Sequence, residues 1–400
     1  MLREYQDQAV LAMLGDLRRP GNSIVCLPTA AGKSHIIAEF AHRSGGKVLI
    51  LCPNREILKQ DREKLSHYTP DNTIGIYSAS LNSRTIKMFT FATVGSVYKR
   101  ASLFSAFDCV VVDEAHEVPT ESPNSMYMKF FGLNDFPKTF GLTASPYRNI
   151  KSSEFLGVAD GKRQVETTST LKLITRLDDS FWDRIIYNIN PQVLRDLRFT
   201  LPTVYRQHHL LPPDRLKLLR DGSDYDQGFF ARAVAGRERA LANTIIKAEA
   251  RFASILVFCA NIAQANSLSG LVPGSGVVHS KIGTKDRLNI VTGFRDGLIK
   301  TVFNVQCLTL GFDSPRLDCL VILRPTRSLS LWQQFIGRGV RISPKTNKTQ
   351  CTVLDFSGTY SRMGAAEDIQ IKRDESGRWN VWSGDQFWHD ERVSSYIVKY

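Results

Sequence analysis

Residues 23–40, SIVCLPTAAGKSHIIAEF, begin as a short apolar run and end as a helix-like segment. The TAAGKS loop between them combines small residues with Lys33 and the hydroxyl group of Ser34. The backbone N–H groups of such a loop, at the positive end of the following helix, favour a phosphate group. The stretch therefore predicts a nucleotide site in which Lys33 reaches the β- and γ-phosphates and Ser34 binds Mg²⁺. The alternative is a chance match, because Leu27 replaces the first glycine of the usual loop.

Similar apolar runs recur along the chain and alternate with helix-like segments. The runs are continuous, which is typical of strands that are buried on both faces of a parallel sheet. Helices are expected at Lys33–Arg43, Arg55–Leu65 and 237–250. Strands are expected at residues 23–28, 47–53, 86–92, 107–113 and 139–143, and again at 254–260, 300–305, 319–325 and 350–356. This alternation predicts an α/β fold with two parallel-sheet units.

The pattern also predicts where the domains begin and end. The two α/β units are expected at residues 1–150 and 237–363. Between them, residues 151–236 contain a stretch rich in Pro, Asp and Gly, and are expected to form an inserted connector. Residues 364–400 are expected to form a small β appendage.

The overall composition favours a polyanionic partner. The 400 residues include 52 Lys and Arg against 39 Asp and Glu, a formal net charge of +13. Such a surplus favours nucleic acid, because basic side chains release counterions from phosphates, although solvated surface charge is the alternative. The seven cysteines form no C-x-x-C pair, and neither a leader nor a membrane-spanning run is evident. We therefore expect a cytoplasmic protein with no membrane partner.

A second motif supports the nucleotide site. Residues 107–116, FDCVVVDEAH, are an apolar run that ends in the adjacent carboxylates of Asp113 and Glu114. In a P-loop ATPase the first carboxylate holds Mg²⁺ and the second orients and deprotonates the attacking water. Two acidic residues that cap a helix are the alternative for this pair alone. The combination with the upstream Gly-Lys-Ser predicts ATP hydrolysis with Mg²⁺ as cofactor.

At this point the sequence resembles superfamily 2 helicases over nearly all of residues 1–358. The resemblance implies two tandem RecA-like domains. The family's motifs occur in order: REYQ at 3–6, PTAAGKS at 28–34, LCPNREIL at 51–58, TVGS at 93–96, DEAH at 113–116, LTASPYR at 142–148, VFCANIAQA at 257–265, LTLGFDSPRLDCLVILRPTRS at 308–328 and QQFIGRGVR at 333–341.

The resemblance implies two groups of site residues. Those near the nucleotide would be Arg3, Gln6, Thr29, Ala30, Ala31, Gly32, Lys33, Ser34, Gly311, Asp313, Arg338 and Arg341. Those contacting nucleic acid would be Pro53, Arg55, Thr93, Ser96, His279 and Thr309, each of which could instead be a cap or packing residue. Among the family's members, relatives usually have glycine where this chain has Ala30.

The arginines of the last motif have a specific implied role. Arg338 and Arg341 lie three apart, a spacing that puts both on one face of a helix. We expect Arg341 to be an arginine finger that reaches the γ-phosphate when the domains close, with Arg338 beside it on the phosphates. A basic surface turn is the alternative from these residues alone.

Among superfamily 2 helicases, the sequence resembles the RadD- and UvsW-type DNA helicases. RadD-type chains carry a cysteine-rich zinc element after the last motif, whereas here Cys351 is the only cysteine beyond that point, so zinc is not expected. The expected function is an ATP-dependent DNA helicase or translocase on forked or branched DNA in replication, recombination or repair. The alternatives are an RNA helicase, the motor subunit of a restriction system, and a nucleotide-dependent DNA-binding or annealing protein. Single-stranded, forked or junction DNA is expected as partner in preference to RNA.

Overall fold

The computed structural model describes residues 2–159, 162–177, 180–220, 222–307, 314–384, 386–387 and 392–399. The chain forms two compact units. Unit 1 comprises Met1–Arg148 and Lys172–Asn190, and unit 2 comprises Asn149–Leu171 and Pro191–Tyr400. The chain therefore leaves unit 1 after Arg148 and returns to it for one further segment.

The strands and helices of the described residues are numbered in chain order. The strands are β1 Ser23–Cys26, β2 Val48–Cys52, β3 Ile74–Ser78, β4 Ser83–Arg84, β5 Phe89–Thr93, β6 Cys109–Asp113, β7 Thr139–Thr143, β8 Tyr147–Ala159, β9 Lys162–Leu173, β10 Arg184–Asn188, β11 Thr203–Gln207, β12 Ile255–Cys259, β13 Gly276–Val278, β14 Thr301–Asn304, β15 Cys319–Leu323, β16 Cys351–Asp355, β17 Ile369–Arg373, β18 Trp379–Ser383, β19 Gln386–Phe387 and β20 Arg392–Lys399. The α-helices are α1 Glu4–Asp16, α2 Lys33–Arg43, α3 Arg55–Leu65, α4 Val94–Val97, α5 Met126–Gly132, α6 Pro191–Asp196, α7 Gln227–Ala233, α8 Glu238–Glu249, α9 Ile262–Ser269, α10 Thr284–Asp296, α11 Leu329–Gly339 and α12 Thr359–Met363.

Unit 1 is built on one sheet with the strand order β10-β1-β7-β6-β2-β5-β3-β4. Its neighbouring strands are parallel, apart from the antiparallel pair β3 and β4. Strands β1, β2, β6 and β7 are buried along their whole length, which explains their continuous apolar sequences. Because parallel strands end at the same edge, the loops that follow β1, β2, β5, β6 and β7 share the edge where α/β proteins bind ligands.

Unit 2 repeats this plan with a fully parallel sheet in the order β11-β16-β15-β12-β14-β13. Helices α8 and α9 pack apolar side chains on one face of this sheet, where Leu241, Ile245 and Leu268 join Val257 and Phe303 in a buried cluster. The loops after β13, β14 and β15 again share one edge of the sheet.

The predicted α/β fold with two parallel-sheet units is confirmed. Helices α2 and α3 have the predicted bounds, and each predicted apolar run overlaps a strand. The sequence did not predict β10 and β11, which lie within residues 151–236. These strands lie at sheet edges and are only partly buried, so their sequences lack a continuous apolar run. The structure thus assigns parts of the expected connector to both sheets.

Two smaller sheets accompany the parallel ones. Strands β17, β18 and β19 form an antiparallel sheet within the stretch 364–400, for which a small β appendage is the prediction. Strands β8, β9 and β20 form another sheet, in which β20 is antiparallel to β9. In the part of the chain that the structure describes, every helix is too short or too polar to cross a membrane.

A buried charge cluster lies at the opposite, amino-terminal edge of the unit 1 sheet. The side chain of Lys138, just before β7, is fully buried, and its ammonium lies 2.5 Å from the Asp16 carboxylate. The same ammonium donates to the Ser23 hydroxyl at 3.1 Å and to the Gly21 carbonyl at 2.7 Å. Asp16 also accepts from Arg184 of β10 at 3.1 Å. These contacts satisfy a buried charge pair and attach the edge strand β10 to α1.

Candidate nucleotide site and strand-end loops

The predicted phosphate loop lies between the end of β1 and the start of α2, at the ligand-binding edge of the sheet. It contains Thr29, Ala30, Ala31 and Gly32, and α2 begins at Lys33. The backbone is left-handed at Ala30, with φ 71°, and at Gly32, with φ 80°. Alanine in this conformation costs roughly 1–2 kcal/mol, whereas glycine adopts it without strain. The loop therefore retains strain at Ala30.

The first turn of α1 packs on this loop. Gln6 is buried, and its amide Nε2 donates to the Ala31 carbonyl at 2.9 Å. The Tyr5 hydroxyl donates to the same carbonyl at 2.8 Å, and Arg3 donates to the Tyr5 oxygen at 3.3 Å. A Cβ atom at Gly32 would lie 2.7 Å from the Gln6 amide, so a larger residue here would displace this amide. The structure brings Arg3 and Gln6 to the phosphate loop and adds Tyr5, which the sequence reasoning missed.

Lys33 faces the two carboxylates at the end of β6. Its Nζ lies 2.6 Å from Glu114 Oε1 and 3.9 Å from Asp113 Oδ1, and both side chains of the closer pair are about seven-eighths buried. Burial alone would lower the pKa of Lys33, but the negative charges of Glu114 and Asp113 outweigh it and raise the pKa above its ordinary value. Burial raises the pKa of Asp113 well above its ordinary range, although Lys33 opposes this. The three predicted catalytic residues of unit 1 therefore lie together.

Glu114 occupies a strained turn between β6 and the DEAH loop. Its backbone is left-handed, with φ 54° and ψ 51°, an uncommon conformation for glutamate that is often found at functional sites. The carboxylate oxygen Oε2 lies 3.5 Å from His116 Nδ1, and the same ring nitrogen lies 2.8 Å from the Thr143 hydroxyl. His116 therefore links the end of β6 with the end of β7, so the DEAH and LTASPYR motifs are in contact.

Asp61 of α3 is a further acidic residue of this site, and the sequence reasoning missed it. It is 1% exposed, and Cys52 Sγ lies 3.6 Å from its Oδ2. Its Oδ1 has no hydrogen-bond partner among the described residues. Burial raises the pKa of Asp61 to about 6, while the Ser34 hydroxyl and the charge of Lys33 act in the opposite direction. The only available signal was an aspartate on the buried face of a helix, which is unusual without a partner.

The predicted nucleic-acid contacts of unit 1 follow two neighbouring strands. Pro53 and Arg55 come after β2, whereas Thr93 and Ser96 lie at the end of β5 and in α4. The ends of β2 and β5 pair directly, with Cys52 opposite Thr93. The hydroxyl groups of Thr93 and Ser96 lie 2.9 Å apart, and Ser96 accepts from the Ala79 N–H. The two pairs therefore lie at one edge, and their contact with nucleic acid stays a prediction.

The candidate residues of unit 2 are described in part. His279 follows β13, and its Nδ1 accepts from the Lys281 N–H at 3.1 Å. Arg338 lies in α11 and is 6% exposed, whereas Arg341 is partly exposed. Thr309, Gly311 and Asp313 lie outside the described residues. The nucleotide role of the two arginines stays a prediction.

The expected helix face shared by Arg338 and Arg341 is wrong. Helix α11 ends at Gly339, and Arg341 lies in the loop that follows. A Cβ atom at Gly339 would lie 2.1 Å from Cys351 Sγ, so strand β16 passes close to the end of the helix. The Val340 carbonyl then accepts the Leu201 N–H instead of continuing the helix. The regular three-residue spacing gave no sign of this early end.

Comparison with known proteins identifies relatives of each part of the chain. The sequence model of the family described as "Type III restriction enzyme, res subunit" matches residues 1–148, and that of "Helicase conserved C-terminal domain" matches residues 237–343. The chain is 25% identical over 387 residues to "Putative ATP-dependent helicase IRC3" of Saccharomyces cerevisiae, covering 90% of this chain and 52% of the yeast protein. It is 32% identical over 161 residues to "DNA 3'-5' translocase XPB2" of Sulfurisphaera tokodaii, covering 40% of this chain and 34% of that protein.

The fold has relatives among solved structures. One of them is titled "The fragment structure of a putative HsdR subunit of a type I restriction enzyme from Vibrio vulnificus YJ016", with a TM-score of 0.65 and 18% identity over 94% of this chain and 70% of that chain. The chain spans about half the length of the yeast relative and about a third of the archaeal one. The chain thus combines a first part similar to the res subunit of type III restriction enzymes with a second part similar to the conserved C-terminal domain of helicases, a combination that supports a superfamily 2 helicase.

Proposed function

We propose that the chain is an ATP-driven DNA motor that translocates along or unwinds forked or branched DNA. The observation that carries this proposal is the buried group of Lys33, Asp113 and Glu114 beside a phosphate loop. An ammonium, a strand-end carboxylate pair and a phosphate loop at the start of a helix are the parts that ATP hydrolysis requires.

The residues of unit 1 fit a nucleotide with a divalent cation. Asp61, Asp113 and Glu114 place three carboxyl groups around one ammonium, that of Lys33, and such an acidic site favours a cation. Ser34 and Asp113 would hold Mg²⁺, which would neutralise charge on the phosphate oxygens. Lys33 would bind the phosphates, and in doing so it would release Glu114.

Glu114 is the proposed general base. Once separated from Lys33, its carboxylate would accept a proton from the water that attacks the γ-phosphorus, as the bond from that phosphorus to the leaving oxygen breaks. His116 and the turn at the end of β6 keep the carboxylate in place, because Glu114 Oε2 lies 3.5 Å from His116. From unit 2, Gly311, Asp313, Arg338 and Arg341 are proposed to complete the nucleotide contacts.

DNA is the proposed substrate along which the chain moves. The net charge of +13 favours a polyanion, and Pro53, Arg55, Thr93 and Ser96 share a strand edge that could follow a phosphate backbone, with His279 and Thr309 proposed in unit 2. The archaeal relative is named as a DNA translocase. The motif resemblance to RadD- and UvsW-type helicases supports branched substrates and a role in replication, recombination or repair.

The testing experiment measures the ATPase rate with no nucleic acid and with single-stranded DNA, duplex, fork, four-way junction and RNA. Lys33→Ala provides the blank. Stimulation by forks or junctions would support the proposal, whereas stimulation by RNA alone would indicate an RNA helicase. An ATPase rate that no nucleic acid changes would contradict it.

A second candidate is the motor part of a restriction system. It is favoured by the match of residues 1–148 to the family of type III restriction subunits and by the fold shared with an HsdR fragment. A restriction motor would translocate along plain duplex, so duplex should then stimulate turnover as well as a fork does. Strand displacement from a fork separates the two candidates.

A further inference from the structure

Lys348 is a partly buried residue whose ammonium group neither the sequence motifs nor the proposed chemistry uses. It lies in the loop between α11 and β16. Its Nζ donates to the backbone carbonyl of Arg341 at 2.9 Å, to that of Pro315 at 3.3 Å and to that of Gly339. Within the described part of the chain, no carboxylate forms an ion pair with it. Its partners are therefore backbone groups of two separate segments.

The position of these carbonyls explains why a cation suits this place. The last carbonyls of a helix have no N–H partner within the helix and carry partial negative charge. Helix α11 ends at Gly339, so the carbonyls of Gly339 and Arg341 face away from the regular ladder. A lysine at the end of a helix satisfies such groups and is favoured by the helix dipole.

The third carbonyl connects this helix end to the preceding motif. Pro315 comes two residues after Asp313, which is proposed to contact the nucleotide. We propose that Lys348 is a positioning residue, whose single ammonium ties the backbone of Arg341 to the backbone that leads out of the motif containing Asp313. This inference rests on the proposed function, because a fixed Arg341 matters to turnover only if the chain hydrolyses ATP.

The surroundings of Lys348 disfavour the charged form of its side chain. Burial lowers the pKa of Lys348 to about 8, with Arg341 acting in the same direction and Cys351 and Asp318 in the other. The folded chain therefore gives up this proton more readily than the unfolded chain, and stability attributable to this group increases as pH rises above about 8. The protonated amine does not stabilise the fold through its charge, which is consistent with a role in position. Opening the tie would return the group to its higher unfolded pKa, so raising the pH through about 8 should favour the tied arrangement.

The experiment compares three variants of the full chain: Lys348→Met, Lys348→Arg and, as control, Lys345→Met. Lys345 lies in the same loop and is exposed, so the control removes the same charge without a buried contact. Hydrogen exchange would be measured without nucleotide in peptides covering 314–318 and 339–346. The ATPase kcat and the Kd for a fluorescent ATP analogue would be measured beside it.

We expect Lys348→Met to speed exchange in both segments and to lower kcat by about tenfold or more, since small displacements of positioning groups have effects of this size. The nucleotide Kd should stay within about threefold, because the phosphate-loop contacts lie in unit 1. Lys348→Arg should restore most of both readouts. Exchange in Lys348→Met that equals exchange in Lys345→Met would overturn the tie. Faster exchange with an unchanged kcat would overturn the positioning role of Lys348 in turnover.

The wild-type protein offers a test that needs no folded methionine variant. Between pH 7 and 9, after correction for intrinsic exchange, protection of the two segments should increase in the wild type and stay constant in Lys348→Arg, because only the lysine loses its proton in this range. Equal behaviour of the two proteins would refute the inference. A wild type without any ATP turnover would instead refute the proposed function, while the exchange data would still judge the tie.

Discussion

Substituting Glu114 by Gln should tighten nucleotide binding while it removes turnover. Without nucleotide, Lys33 and Glu114 form a charge-assisted hydrogen bond of 2.6 Å, which must break before Lys33 can bind phosphates. Such a bond contributes about 1.5–3 kcal/mol, and a neutral amide keeps roughly half of it. Both side chains are shielded from water, so little discount for screening applies. Glu114→Gln should therefore remove at most about 1.5 kcal/mol of the free energy that opposes nucleotide binding, which corresponds to roughly tenfold tighter binding of the nucleotide.

The assay is an equilibrium titration of a fluorescent ATP analogue with Mg²⁺, together with the ATPase rate. Turnover should fall by about 10²–10⁴-fold, as expected when a general base is lost. Glu117→Gln is the matched control, since Glu117 is half exposed and pairs with His116 at 3.3 Å. If Glu114→Gln binds nucleotide no more tightly than Glu117→Gln, the Lys33 pair does not oppose binding. Normal turnover in Glu114→Gln would refute the general-base assignment.

Two further predictions concern stability, each measured by urea unfolding. Ala30→Gly should raise the free energy of unfolding by roughly 0.5–1 kcal/mol, because glycine relieves the left-handed strain by more than it adds in unfolded-state entropy. The control Ala31→Gly, at a position without positive φ, should lower the free energy of unfolding. Equal effects of the two substitutions would contradict the strain argument. Lys138→Met should lower the free energy of unfolding by about 3 kcal/mol, because Asp16 is left buried without its closest cation. Lys47→Met, at an exposed lysine, should change it by less than about 0.5 kcal/mol, and a similar small change for Lys138→Met would show that the buried pair adds nothing.

The sequence predicted best those helices and site residues that depend on patterns of neighbouring residues. The bounds of α2 and α3 follow from apolar periodicity and from the caps at Gly32 and Asn54, which are visible in the sequence. The catalytic group of unit 1 was predicted because its residues belong to two motifs that follow strands of the same sheet, β1 and β6. Edge strands β10 and β11 were missed because partial burial removes the apolar signal.

What the sequence could not predict depends on contacts between distant segments. The burial of Asp61 depends on α3 packing against α2, and its place on the apolar face of α3 was the only sign of it in the sequence. Helix α11 ends at Gly339, where Cys351 of a distant strand approaches the backbone, and no helix pattern in the sequence records this approach. In the sequence, nothing distinguishes Lys348 from other loop lysines. In the structure, three backbone carbonyls from two separate segments accept hydrogen bonds from its ammonium group.

The return of the chain to unit 1 has a consequence for its synthesis. Strand β10 pairs with β1 along the sheet edge, and the Asp183 carboxylate accepts the Asn22 N–H beside it. When only the first 148 residues have left the ribosome, β1 therefore lacks its partner strand β10 and has one unpaired edge. An unpaired strand edge is a site for association with other chains. Unit 1 can complete its sheet only after Asn188 has emerged, by which time the β8–β9 segment has already been made. Nascent chains halted between these two points should accordingly be the ones most dependent on chaperones.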